Sequence, residues 1–257
     1  MRLQRLVGQP PDFRPCRRIL RGVSGPTDPL SALAAMADRL PILLAAGWVV
    51  RVPGLNGEEG HEAITRHAWQ GLALTPPQQR ALIRGVRAPD VSLPGLLTSV
   101  LPFAQRRHAL RGWSGTSTAA GIRDMRRFLS GSHARAMAER YDGRRWVVVG
   151  KVLHCLQDSF SPAHTDRIGA QIVRMKHWGP IDRRRVTAGT PDEHGFPADA
   201  RDCALTNGAL SPPALAAAAA SHRYLELVIR HSGTGRDEDL QRGELDEFLD
   251  TWVAAPN

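Results

Sequence analysis

The chain has 257 residues, 42% of them apolar, and a net charge of +9. That length supports one large domain with a buried core or two small ones, and the apolar fraction is that of a soluble globular protein. No apolar run reaches the roughly 20 residues of a membrane-spanning helix, so no transmembrane segment is expected.

Cys16, Cys155 and Cys203 form no CxxC pair, which argues against a cysteine zinc site, and an odd count gives no disulfide framework. The basic residues are nearly all arginine; only Lys151 and Lys176 are lysines. The planar guanidinium can bind phosphate with two hydrogen bonds, which fits a partner such as nucleic acid or an anionic lipid surface. An arginine-rich codon bias explains the same composition, so charge alone does not choose.

Strand-type alternation is scarce, whereas helix-length apolar stretches separated by Gly and Pro are common. The expectation is an all-α, multi-helix fold. Residues 1–30 are rich in Arg, Pro and Gly without helical period and read as a disordered extension or as sequence upstream of the true start, with Met36 as an alternative start. Ala45 and Gly47 are small residues placed like the end of a secretory signal, with cleavage before Trp48. Against this, the apolar core 40–47 is short and contains Pro41. The division is therefore an extension or leader over 1–47 and a helical domain over 48–257, with secretion or a periplasmic location as the matching expectation.

A helix is expected from Glu62 to Gly71, with Ile64, Ala68 and Leu72 on one face. Thr75-Pro76-Pro77 opens a second, running to about Val86. A short helix near 95–104 follows. Thr116 or Ser117 starts a longer one over about 118–139, and Asp142 caps another over about 144–159. Val147, Val148 and Val149 make a strand a live alternative for the first turn of that last helix. Residues 165–212 read as a long irregular loop region with a weak helical stretch near 168–176. Two closing helices span about 212–232 and 236–253.

The chemistry centres on the segment His154-Cys-Leu-Gln-Asp158-Ser-Phe-Ser-Pro-Ala-His164. His154 and Asp158 are four apart and share a helix face. Pro162 ends the helix, and His164 can fold back. Imidazoles with a carboxylate make a ligand set suited to zinc. Taken singly, each residue has a plainer reading: a hydrogen-bonded core histidine, a helix-end ion pair, or a turn. Further candidates are His61 at a helix start, Asp90 after Pro89, His108 in an Arg-rich helix position that reads as solvated, and His194 among the acids of 192–199.

The HxxxDxxxxxH spacing of residues 154–164 resembles that of the zinc-dependent phospholipase C and single-strand-specific nuclease superfamily. The order of flanking candidates is similar too: Trp48, His61, Asp90, His108, then the triplet, then a histidine with an acid. The similarity covers roughly residues 48–200 in scattered motifs. The resemblance implies a helical fold and up to three zinc ions. Asp90, His108, His154 and Asp158 would hold the first. Asp158 would bridge to a second that also uses His61 and Trp48 through its amine and carbonyl. His164, His194 and an acid, Asp199 in preference to Asp202, would hold the third. Two departures stand out. The Trp48 amine is free only if residues 1–47 are removed. His177 lies nearer the family's distance from His164 than His194 does, but Ile181 stands where its acid partner belongs.

The function implied is zinc-dependent phosphoester hydrolysis, on phospholipid with peripheral membrane contact, or on nucleic acid. Neighbouring divalent ions acidify water and stabilise charge on phosphate. Asp90 is also a candidate proton acceptor. Arg167 and Arg174 are candidate holders of a substrate phosphate. Trp113, Trp178 and Phe196 are possible base-stacking platforms. A zinc-stabilised binding protein without turnover is the competing class.

Overall fold

The computed structural model describes residues 60–91, 102–111, 116–178, 193–194, 204–206, 209–233 and 237–255. Trp48, Trp113, Phe196, Asp199 and the whole 1–47 segment lie outside them. The described chain is mostly helical, with three pairs of short strands.

Helix α1 spans Gly60–Ala68, with Glu62 in its first turn and Arg66 and His67 in its last, each charge opposing the helix dipole. It buries His61, Ile64, Thr65 and Ala68, one face at helical spacing. Helix α2 spans Pro76–Val91, longer than expected, with Pro89 inside its last turn. The Thr75 N–H donates to Gln78 Oε1 at 2.8 Å, the return half of a capping box. Because α2 runs past Val86, Asp90 is carried on regular helix.

The 3-10 helix η1, Pro102–His108, takes the end of the helix expected near 95–104; residues 95–101 of that expectation lie outside the described residues. Helix α3 spans Thr118–Ala138 and is capped by Ser117, whose side chain accepts from the Ala120 N–H at 3.2 Å. Helix α4 spans Asp142–Asp158, so Trp146 to Val149 are helical rather than strand. Asp142 is not the cap. It lies in the first turn, where its carboxylate accepts from Trp146 Nε1 at 3.0 Å, and Tyr141 takes the cap position without a side-chain bond. Helix α5 spans Pro212–His231 and α6 spans Glu238–Trp252.

Helix α4 is the hub. It packs against α1, α2, α3, α5 and η1, and its second half is buried without a break from Val152 to Asp158. A helix enclosed on all sides should be apolar all round. The exceptions in this one, His154, Gln157 and Asp158, are therefore conspicuous.

The region 165–212 is not simply an irregular loop. Strands β1 (Thr165–Ile168) and β2 (Gln171–Met175) form an antiparallel hairpin where a weak helix was expected. Its two-residue turn starts at Gly169, whose φ of 58° suits a residue without a Cβ. The adjacent Ile172 and Val173 favour the pleated chain. Strand β3 (His177–Trp178) pairs in parallel with β4 (Glu193–His194), and β5 (Leu205–Thr206) pairs with β6 (Ala209–Leu210).

Candidate metal centre

Four elements converge on one buried carboxylate. Helix α4 supplies His154 and Asp158 one turn apart, and α1 supplies His61 from its buried face. The last turn of α2 supplies Asp90, and the last residue of η1 supplies His108. After α4 the chain turns back through hydrogen bonds from the Ser161 N–H to the Asp158 carbonyl and from the His164 N–H to the Ser161 carbonyl, both 2.9 Å, which returns His164 to the same point.

Each oxygen of Asp158 faces its own pair of histidines. Oδ2 lies 3.1 Å from His154 Nε2 and 3.4 Å from His108 Nδ1. Oδ1 lies 3.2 Å from His61 Nε2 and 3.9 Å from His164 Nε2. Asp90 spans both sides: Oδ1 is 3.7 Å from both His108 Nδ1 and His154 Nε2, and Oδ2 is 3.9 Å from His61 Nε2. Two sets, His61 with Asp90 and His154, and His108 with His154 and Asp158, each place three possible ligand atoms within 4.8 Å of one another.

The histidines are oriented from behind. His154 Nδ1 donates to the Val86 carbonyl at 2.9 Å, His164 Nδ1 to the His108 carbonyl at 2.5 Å, and His61 Nδ1 to Gln157 Oε1 at 2.8 Å. A main-chain carbonyl only accepts, so in His154 and His164 the outer nitrogen carries the proton. The inner nitrogen then presents a lone pair to the centre, where His154 Nε2 lies 3.0 Å from His108 Nδ1 and 3.1 Å from Asp158 Oδ2. A lone pair facing an ionised carboxylate is repelled unless a proton or a metal ion lies between them. His61 Nε2 and both Asp158 oxygens are buried without a hydrogen-bond partner. Ligand bonds of about 2.0–2.1 Å put the corners of a tetrahedron about 3.3 Å apart, and the separations here bracket that spacing. The donor set fits a divalent ion.

The charge balance agrees. Burial favours the neutral acid at Asp158, but the positive charge its surrounding imidazoles can carry outweighs this and holds the carboxyl well below its usual range. Burial also opposes a charge on His61, yet Asp158 and Asp90 raise its pKa to about 9. His154, with burial dominant, is pushed down and stays neutral.

The structure thus brings together His61, Asp90, His108, His154, Asp158 and His164. His108 is not solvated as expected: it is 12% exposed. The reason is the next residue, Ala109, whose φ of 49° is rare for a side chain with a Cβ and turns the chain out of η1. The backbone of His194 lies in β4 opposite Trp178, while its side chain and Asp199 are outside the described residues. The Arg167 guanidinium is taken up by the Ser159, Ala170 and Trp252 carbonyls at 2.7–2.9 Å and lies 3.9 Å from the centre of the Phe160 ring. Arg174 sits exposed on β2, paired with Asp166 at 3.4 Å.

Sequence reasoning missed Gln157, Thr65 and Ser221, all fully buried. Gln157 was readable in one respect: an amide between His154 and Asp158 on an enclosed helix needs partners.

The chain matches no family model, no curated protein and no solved structure.

Proposed function

We propose that this centre binds zinc, as two ions that His108 and His154 on one side and His61 and His164 on the other would hold with Asp158, and hydrolyses a phosphodiester. The observation carrying the reading is the arrangement of five groups around the two oxygens of one buried carboxylate, Asp158. His108 and His154 serve Oδ2, His61 and His164 serve Oδ1, and Asp90 lies across both. Imidazole and carboxylate ligands without thiolate suit zinc. When bound, such ions acidify water and neutralise charge gathering on a phosphoryl group.

The chain's own residues supply the rest. Asp158 and Asp90 carry two negative charges, so two divalent ions leave a net positive site for an anionic phosphodiester. Asp90 and His108, each 12% exposed, form the side that meets solvent; His154, Asp158 and His164 lie deeper. Asp90 is therefore the carboxylate placed both to hold an ion and to accept a proton. The resemblance to phospholipase C favours a phospholipid substrate, with single-stranded nucleic acid as the second class.

The test is zinc content of the purified protein together with turnover of a chromogenic phosphodiester, phosphatidylcholine vesicles and a single-stranded oligonucleotide. Asp158→Asn is expected to abolish zinc-dependent hydrolysis. Undiminished turnover by that variant would remove Asp158 from the reaction. Stoichiometric zinc with no hydrolysis of any of the three would favour a zinc-stabilised binding protein.

A further inference from the structure

His61 differs from His154 and His164 in what fixes it. The outer nitrogens of those two donate to the main-chain carbonyls of Val86 and His108, groups that cannot exchange donor for acceptor. The outer nitrogen of His61 donates to a side-chain amide, Gln157 Oε1, at 2.8 Å. An amide has two faces. With its oxygen toward His61, the ring proton sits on Nδ1 and Nε2 presents a lone pair to the centre. With its NH2 toward His61, Nδ1 must accept, the proton moves to Nε2, and the ring ceases to be a ligand.

In the orientation seen here, two hydroxyls take up the other end of the amide. Gln157 Nε2 donates to Thr65 Oγ1 at 2.9 Å and to Ser221 Oγ at 3.3 Å. Thr65 lies one turn after His61 on α1, and Ser221 is on α5. Gln157, Thr65 and Ser221 are each fully buried, so water does not compete for these bonds.

We propose that Gln157 is a positioning residue that makes His61 a metal ligand, and that the Gln157–Thr65–Ser221 chain thereby controls occupancy of the His61 side of the centre. The inference rests on the two-ion reading above. It is specific to one half, because the His108 and His154 side does not depend on this amide. Groups that orient ligating histidines typically change metal affinity by about 10–100-fold when removed.

The experiment is a zinc titration of the full chain against a competing fluorescent chelator, with the absorption spectrum of the cobalt-substituted protein recorded alongside. Gln157→Met keeps the side chain unbranched and of similar length while removing the acceptor. The expected result is two zinc equivalents in the wild type, one of them weakened about 10–100-fold in Gln157→Met, with loss of the corresponding part of the cobalt spectrum. Gln157→Glu, whose carboxylate accepts from the same ring N–H, should retain both equivalents. If Gln157→Met does not fold, the pair Thr65→Val and Ser221→Ala leaves Gln157 in place without its anchors and should weaken the same equivalent. Two equivalents of wild-type affinity in Gln157→Met, or in that pair, would overturn the inference and leave the two-ion reading standing. Equal weakening of both equivalents would also overturn it, because the role would then be general to the fold. A wild type that binds no zinc would overturn both.

Discussion

Gly85 of α2 and Gly150 of α4 meet at a helix crossing too close for any side chain. A Cβ placed on Gly85 would lie 2.8 Å from Gly150 Cα, and one on Gly150 would lie 2.7 Å from Gly85 Cα. The other neighbours are the main-chain carbonyl oxygens of Val147 and Leu82, which cannot rotate aside. This approach brings the Val86 carbonyl within reach of His154 and the end of α2, with Asp90, beside Asp158. Gly150→Ala is expected to destabilise the protein by about 1–3 kcal/mol by overpacking and to weaken zinc binding as Val86 and Asp90 are displaced. Gly131→Ala on α3 is the control: nothing lies within 4 Å of a Cβ there, so helix propensity should dominate and stabilise by about 0.5–1 kcal/mol. Thermal melts of the two variants should move in opposite directions.

Zinc should stabilise the folded chain, because the unfolded chain has no preformed site. At free zinc about 100 times its dissociation constant, the gain from one site is about 2.7 kcal/mol. A chelator should lower the melting temperature of the wild type and leave Asp158→Asn unmoved. A wild-type melt that ignores both zinc and chelator would argue against a metal centre.

Part of this arrangement is legible in the chain and part is not, for identifiable reasons. The four-residue spacing of His154 and Asp158 fixes a shared helix face whatever surrounds it. His61 follows from its place at the start of the helix whose inner face carries Ile64 and Ala68. His108 does not follow, because Gln105, Arg106 and Arg107 signal solvent and only the positive φ of Ala109 reverses that. The hairpin at 165–175 reads as helix because its buried residues Ile172 and Met175 are three apart, a spacing both structures allow. Gly169 and the β-branched pair 172–173 carry the strand signal. That Gln157 needs partners can be read from its enclosed helix, but which ones cannot: His61, Thr65 and Ser221 lie 96, 92 and 64 residues away.

A second buried chain of polar groups predicts acid sensitivity away from the metal centre. Glu244 Oε2 accepts from His231 Nε2 at 2.8 Å, His231 Nδ1 and His133 Nε2 share a hydrogen bond at 3.0 Å, and Tyr224 Oη faces His133 Nδ1 at 3.2 Å. The chain joins α3, α5 and α6, and Arg230 also pairs with Glu244 at 3.1 Å. Burial, with His231 beside it, lowers the His133 pKa from 6.5 to about 4. Between those values the unfolded chain binds a proton that the folded chain refuses, so stability rises with pH across this window. It is complete above pH 6.5 and lost as pH falls toward 4, a span worth about 3 kcal/mol. Denaturant titrations from pH 7 to 4 should show this slope in the wild type and a shallower one in His133→Gln. Equal slopes would assign the acid sensitivity to other groups.

Arg167 gives the sharpest contrast between a substrate role and a structural one. Its pKa is lowered by burial only to about 10, so it stays charged at neutral pH. Its donors close the turn after Asp158 through the Ser159 carbonyl and hydroxyl, the hairpin through the Ala170 carbonyl, and the end of α6 through the Trp252 carbonyl. Lysine keeps the charge but lacks the planar fork that reaches three directions at once. Arg167→Lys is therefore expected to cost about 2–4 kcal/mol in chemical denaturation, since hydrogen bonds to a charged group contribute about 1.5–3 kcal/mol each and lysine recovers only some of them. The KM for a phosphodiester should stay unchanged at temperatures where the variant is folded. A raised KM with unaltered stability would return Arg167 to the substrate. The same assay on Arg174→Ala, where the side chain is exposed and its ion pair contributes about 0–1 kcal/mol, should leave stability unmoved and report substrate binding alone.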